Sequence, residues 1–402
     1  MPWLETDVRD QRIQFVMTAR RPGANISAVC RAFGISRKTG YKWLQRDATA
    51  GSVAVLADRS RRPLHSPTRT EAALTARVLE LRQQFGWGGD KLACLVRAEG
   101  LQLAPRTIDR IIQREGLTRD RPVVGSAPNR FERPAPNELW QMDAKGPYAL
   151  GTGGRCHPLS ILDDHSRFAV GLYPLPTLST DTVRPALRAC FERYGVPQAM
   201  LMDHGVPWWT TASGDGLTRV SVTLLQQGIR LIYGAIRHPQ TQGKVERFHR
   251  TLDERLRWSG VPTTWRGLVR ALAAFREEYN YLRPHEALGL CPPAQRFAPS
   301  RRAYDPRPRP WEYPTGTLVR RVQRNGVVHY HGRICFVSEA LVGEDVACVP
   351  FGERVLVQYR HMYVREWHLT STRTVALLQP AYNDRWPANP EGSAGHPVLP
   401  MS

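Results

Sequence analysis

A chain of 402 residues is too long for one typical domain and has room for three or four. Its hydrophobic fraction of 42% suits globular cores, and the lack of any apolar run of ~18 residues argues against a membrane span. A net charge of +20 and a pI near 10.2 point to a polyanion, nucleic acid first, against a basic protein with no specific partner.

The start, "MPWLETDVRDQR", lacks the basic-then-apolar order of a secretory signal. Seven cysteines form no CxxC pair and no Cys/His grouping, which argues against a zinc site or disulfide frame and for a reducing compartment. Only five lysines occur, Lys38, Lys42, Lys91, Lys145 and Lys244, in an otherwise arginine-only basic set. They are candidates for positions where a guanidinium will not serve.

In chain order, residues 1–50 read as a helix-turn-helix unit built on "NISAVCRAFGISRKTGYKWLQR". Val29, Cys30 and Phe33 share an apolar side, Gly34 turns the chain, Ser36 caps the next helix, and Trp43 and Leu44 return to the core. That spacing aims Arg37, Lys38, Tyr41 and Lys42 at a major groove; a helical hairpin with a charged solvent face is the plainer alternative. Gly40 stands where an apolar residue usually packs, and is expected to weaken the second helix.

Residues 65–118 form a second expected helix-turn-helix unit. Leu74, Val78 and Leu81 recur at helical spacing, Gly86 to Gly89 interrupt it, and Pro105 opens a short helix carrying Arg106 and Arg110. Residues 119–136 are a basic, proline-rich linker that either follows phosphates or stays disordered.

Over 137–298 strand and helix patterns alternate, as in a mixed α/β sheet. "ELWQMD", "HPLSILDD", "FAVGLYPL", "QAMLMD" and "GIRLIYG" read as strands, with "DDHSR" a tight turn and "WWTTASGDGLTR" an irregular insert. A second basic linker at 299–314 leads to a small β-barrel at 315–372, whose Asn325-Gly326 marks a hairpin, and a disordered tail is expected at 373–402.

Two of these strands end in aspartate, Asp143 and Asp203, so both carboxylates fall at one sheet edge, where α/β sheets build ligand sites. Glu246, at the start of a following helix, can join them. Three close carboxylates repel unless a cation intervenes, and hard oxygen donors suit Mg²⁺ or Mn²⁺. Each residue alone has a plain structural explanation, since Asp ends strands and Glu opens helices for conformational reasons.

The surrounding words "ELWQMDAKG", "LSILDDHSRFAVG", "AMLMDHGVPW", "HPQTQGKVERFHRTL" and "YNYLRPHEALGLCPPAQRF" resemble, in that order, the catalytic core of bacterial insertion-sequence transposases of the retroviral-integrase type. The resemblance spans roughly Asn137 to Phe297, and paired helix-turn-helix units ahead of it are similar to the family's arrangement. It implies a ribonuclease-H-like fold and an Asp-Asp-Glu triad of Asp143, Asp203 and Glu246 holding two Mg²⁺ ions, or Mn²⁺. It also implies that Lys244 touches transposon-end DNA, with His238, Gln240 and Arg250 nearby. Asp164 matches the acidic residue of the second hairpin and is read as structural, holding the turn with Ser166 and Arg167, and not as a metal ligand. His204 replaces the family's usual Asn after the second Asp, and the interval before Glu246 is long, an excess assigned to a surface loop at Gly214 to Ser221.

These features imply a transposase that binds terminal inverted repeats, cuts strands and joins 3′-hydroxyl ends to target DNA by two-metal-ion phosphoryl transfer. Double-stranded DNA is then the partner, a homodimer or higher homo-oligomer is expected, no membrane is involved, and the place of work is the bacterial cytoplasm, at the nucleoid. A non-catalytic DNA-binding regulator derived from such an enzyme, and a simple nuclease of the same fold, are the competing readings.

Overall fold

The computed structural model describes residues 7–50, 53–58, 70–118, 132–151, 153–210, 216–234, 243–371 and 373–381. The chain divides into two compact units, Met1–Glu71 and Ala72–Ser402.

In the first unit, α1 (Val8–Ala19), α2 (Ile26–Ala32) and α3 (Arg37–Ala50) enclose Phe15, Cys30, Trp43 and Leu56. Gly34 makes the turn with φ +63°, and Ser36 Oγ accepts from Thr39 N at 3.1 Å to cap α3. Gly40 faces the neighbouring helices at their crossing. A Cβ there would lie 2.5 Å from Cys30 Sγ and 2.9 Å from Phe15 Cζ, so glycine is what lets the helices cross this closely.

The second unit opens with α4 (Ala72–Phe85), α5 (Gly89–Ala98) and α6 (Pro105–Arg114), packed around Val78, Leu92, Ile108 and Ile112. Arg82, buried among them, donates to the carbonyls of Gly86, Trp87 and Leu117 and so fixes the "GWGG" break. These helices are tied to the sheet domain in cis: Trp258 Nε1 donates to Gln83 O at 2.6 Å, and Lys91 pairs with Glu286.

The central sheet has β1 (Leu139–Ala144), β2 (Tyr148–Ala149), β3 (Arg155–Asp163), β4 (Ala169–Leu175), β5 (Ala199–Met202) and β6 (Arg230–Tyr233). β3 pairs antiparallel with β1, β2 and β4, while β1–β5 and β5–β6 are parallel. This is the mixed sheet that the strand pattern predicts. α7 (Thr180–Tyr194) and α8 (Arg219–Gln226) bury Leu187, Phe191, Val220 and Leu224 in one cluster with Trp140 and Met200. α9 (Gly243–Ser259) and α10 (Trp265–Glu277) bury Phe248, Leu252, Leu256, Leu272 and Phe275 in another, with Leu162 and Leu172. Asn137 Nδ2 donates to Ala298 O at 2.8 Å, tying the two ends of this domain together.

Part of the expected surface loop is helix. Ser221, in α8, is fully buried and donates to Trp208 O at 2.6 Å, and Gly214 lies outside the described residues. The turn after β3 also differs from expectation. Asp163, not Asp164, holds it, accepting from Ser166 N at 2.8 Å and Ser166 Oγ at 2.5 Å.

Residues 299–314 are not a free spacer. Arg302 donates to the carbonyls of Pro197, Gln227 and Gly228, and Ser300 N donates to Tyr194 O at 2.7 Å, so a basic segment is strapped across backbone acceptors. Of the residues 119–136 expected to be a linker, 119–131 lie outside the described set.

The C-terminal strands are β7 (Leu318–Arg321), β8 (Val327–Tyr330), β9 (Arg333–Phe336), β10 (Asp345–Phe351), β11 (Arg354–Tyr359), β12 (Met362–His368) and β13 (Thr374–Pro380). They do not close into the expected barrel. The five-stranded order β13-β12-β11-β10-β7 is an open path, and β8–β9 stands as a separate hairpin. Asn325 and Gly326, at φ +65° and +72°, do turn the chain, but they send β7 and β8 to different sheets. A Cβ on Gly326 would sit 2.5 Å from the Ser338 carbonyl carbon, so the corner is packed shut. The last strand also occupies part of the expected tail. Its sheet needs no closure because one face shares the core cluster of the central sheet, with Val346, Val355, Val357 and Met362 in it.

Candidate active site at the strand ends

β1 and β5 run parallel with Leu139 opposite Ala199 and Gln141 opposite Leu201. Continued by two residues, that register sets Asp143 beside Asp203. Strand alternation puts Gln141 and Asp143 on the same side of β1. Asp143 Oδ1 accepts from Ala144 N at 2.9 Å, and the side chain is 20% exposed. Asp203 Oδ1 accepts from Gly205 N at 3.0 Å and from the indole of Trp208, a buried residue, at 2.7 Å.

Glu246 comes from α9, whose buried side is Val245, Phe248, Leu252 and Leu256. It lies exposed in the first turn, where the helix dipole favours a carboxylate. Burial first, then the charge of Asp203 and, more weakly, that of Glu246 push the Asp143 carboxyl up from 3.8 to about 7, against the Ala144 hydrogen bond. Among the described residues no Lys or Arg pairs with any of the three, and no group of three or more Asp, Glu, His or Cys is drawn tightly enough together to cage a metal.

Three further contacts hold α9 beside the strands. His249 Nδ1 lies 3.7 Å from Asp143 Oδ2, while its Nε2 bonds Ser160 Oγ at 2.9 Å. Burial and the charge of Lys145 pull His249 down to about 4, so it is a neutral ring and not an ion-pair partner. Lys145 pairs with Asp253 at 3.0 Å. Lys244 Nζ donates to Asp164 Oδ1 at 2.6 Å, and Asp164 is fully buried. Gln141, His249 and Trp208 also belong to this site. Two of them have a spacing signal, Gln141 two residues before Asp143 on a strand and His249 three after Glu246 on a helix, whereas Trp208 has none.

The integrase core domain family matches residues 133–239 and again 227–293. A helix-turn-helix domain family matches residues 11–63 and a homeodomain-like domain family residues 39–112. An uncharacterized 31.7 kDa protein of insertion element IS407 in Burkholderia multivorans is 29% identical over 304 residues, covering 71% of this chain and 96% of that protein. An uncharacterized 39.2 kDa protein of insertion element IS476 in Xanthomonas euvesicatoria is 30% identical over 243 residues, covering 58% of this chain and 67% of that protein. The chain belongs to the insertion-sequence transposases with an integrase-type core. Among solved structures, the catalytic core domain of BIV integrase aligns with this transposase at 23% identity and a TM-score of 0.31, covering 40% of this chain and 92% of that one.

The other residues singled out in the transposase sequence fall into three groups. Arg37, Lys38, Tyr41 and Lys42 are all exposed on α3, and Arg106 and Arg110 are exposed on α6. Arg250 is exposed one turn along α9 from Glu246, while His238 and Gln240 lie outside the described residues. His204 packs its ring 4.5 Å from Trp209 and 5.6 Å from Tyr233, and burial lowers its affinity for a proton despite Asp203.

Proposed function

We propose that this transposase cuts DNA strands at its element's ends and joins the freed 3′-hydroxyls to target DNA, with Asp143, Asp203 and Glu246 as the acting carboxylates. The observation that carries this reading is the parallel register that sets Asp143 beside Asp203 at two adjacent strand ends, where burial first, and then the charges of Asp203 and Glu246, raise the Asp143 carboxyl to about 7.

The donor set fits a hard divalent cation. All three groups offer carboxylate oxygens, which suit Mg²⁺ or Mn²⁺, and their mutual repulsion is what a cation would relieve. Bound there, a pair of such ions would activate an attacking oxygen and stabilise the leaving one. The chain's own work is placement. Trp208 and Gly205 fix one Asp203 oxygen, and neutral His249 stands beside Asp143 without competing for it as a cation would.

Specific end binding is assigned to the helix-turn-helix units, through Arg37, Lys38, Tyr41 and Lys42 on α3 and Arg106 and Arg110 on α6. Arg250, His238 and Gln240 are assigned to DNA entering the site. Two element ends need two active sites, so a dimer or larger assembly on DNA follows. Among the described residues no helix is long and apolar enough to cross a membrane, and a protein acting on bacterial DNA works at the nucleoid. Strand transfer by Asp143→Asn tests the reading: it should be abolished with Mg²⁺ present, and transfer at the wild-type rate would refute the triad.

A further inference from the structure

Asp164 Oδ1 accepts two hydrogen bonds, one from Gln141 Nε2 at 2.8 Å and one from Lys244 Nζ at 2.6 Å. Gln141 precedes Asp143 by two residues on β1, and Lys244 precedes Glu246 by two on α9. One buried oxygen therefore joins the strand that carries one carboxylate to the helix that carries another. Its second oxygen takes Arg133 N at 2.8 Å, so the carboxylate is itself held on both sides.

This linkage matters because of where α9 is attached. Its apolar side is Val245, Phe248, Leu252 and Leu256, whose contacts are non-directional. Its other polar ties to the sheet, His249 to Ser160 and Asp253 to Lys145, lie further along the helix than Glu246. The apolar contacts press a helix onto a sheet without fixing its rotation to the fraction of an ångström that ligand geometry requires. Charge-assisted hydrogen bonds are directional and short, and the one at the first turn is the nearest to Glu246.

We propose that Asp164 is a positioning residue that sets the Asp143–Glu246 separation through Gln141 and Lys244, and that Lys244 serves this linkage rather than DNA. The proposal rests on the triad reading above, and its failure can be told from the failure of that reading.

The experiment titrates Mn²⁺ alone against the purified full-length protein, following free Mn²⁺ by electron paramagnetic resonance. In parallel, binding of a duplex bearing the DNA that flanks the gene is measured in EDTA. The variants are Asp164→Asn and the double variant Asp164→Leu/Lys244→Met. The double variant removes both charges at once, so net charge is unchanged and no buried ion is left unpaired, which lets it fold where a single change fails. Both variants should bind Mn²⁺ ~10-fold more weakly, the usual loss when a group that orients a metal ligand is removed, with duplex binding kept.

Wild-type Mn²⁺ affinity in the folded double variant would overturn the proposal. So would unchanged Mn²⁺ affinity with lost duplex binding, which would return Lys244 to DNA. If Asp143→Asn itself binds Mn²⁺ like the wild type, the triad reading falls instead and takes this one with it.

Discussion

Trp208 donates its indole N–H to Asp203 Oδ1 at 2.7 Å from a fully buried position. The bond holds one carboxylate oxygen of a residue that stands just beyond its strand, where the backbone alone would leave χ angles free. Trp208→Phe keeps an aromatic side chain, removes the N–H donor and gives up part of the buried indole's volume. Strand cleavage should fall ~10-fold, measured on a nicking assay at a temperature where calorimetry shows the variant folded, since the lost core volume also lowers the melting temperature. Unchanged cleavage would mean that Asp203 orients itself.

Asp143 predicts a pH dependence of metal binding. Its carboxyl holds a proton up to about 7, and a cation must displace it. Mn²⁺ affinity, measured by titration calorimetry, should rise from pH 6 to pH 8 with about one proton released per site at the lower pH. Flat affinity over that range would contradict the shift.

The same shift predicts an effect on stability. The folded-state value lies above the unfolded one, so the folded protein retains a proton that the unfolded chain has lost between pH 3.8 and about 7. Stability from this group therefore declines as pH rises through that window and levels off above it. Asp143→Asn should melt higher than the wild type at pH 8 without metal and gain nothing at pH 4. The gain at pH 8 is bounded at about 4 kcal/mol and is reduced by the partial exposure of the group.

On α3, Arg37, Lys38 and Lys42 are exposed together with Tyr41, which is 50% exposed. Replacing the three basic residues by alanine should weaken duplex binding and lower the slope of log affinity against log salt by ~0.9 for each phosphate that is no longer neutralised. Fluorescence anisotropy across a salt series measures both. A surviving sequence preference would move recognition to another element.

Gly40→Ala tests the close crossing of helices in the first unit. A methyl group there must displace Cys30 Sγ and Phe15, at a cost of ~1–3 kcal/mol despite alanine's better helix propensity. Denaturant unfolding should show the loss. A stabilised variant would mean that the crossing relaxes freely.

Local pattern carried much of this protein. Apolar periodicity places α9 and its buried Val245, Phe248, Leu252 and Leu256, and strand runs ending in aspartate place Asp143 and Asp203 at one sheet edge. Glycine at 40 shows the limit. From the sequence it is a poor helix former, and only the neighbouring helix reveals that a side chain has no room.

The same division runs through the whole chain. Composition, charge and ordered motifs determined a basic, multidomain transposase with an integrase-type core, because periodicity and spacing are properties of the chain itself. Tertiary structure decided that the C-terminal strands form an open sheet, since a face covered by the central sheet's core has no need to close on itself. It also decided that Lys244 meets Asp164 across 80 residues of chain. A hydrogen bond between side chains that far apart leaves no trace in local spacing, because its geometry exists only once strand and helix have packed.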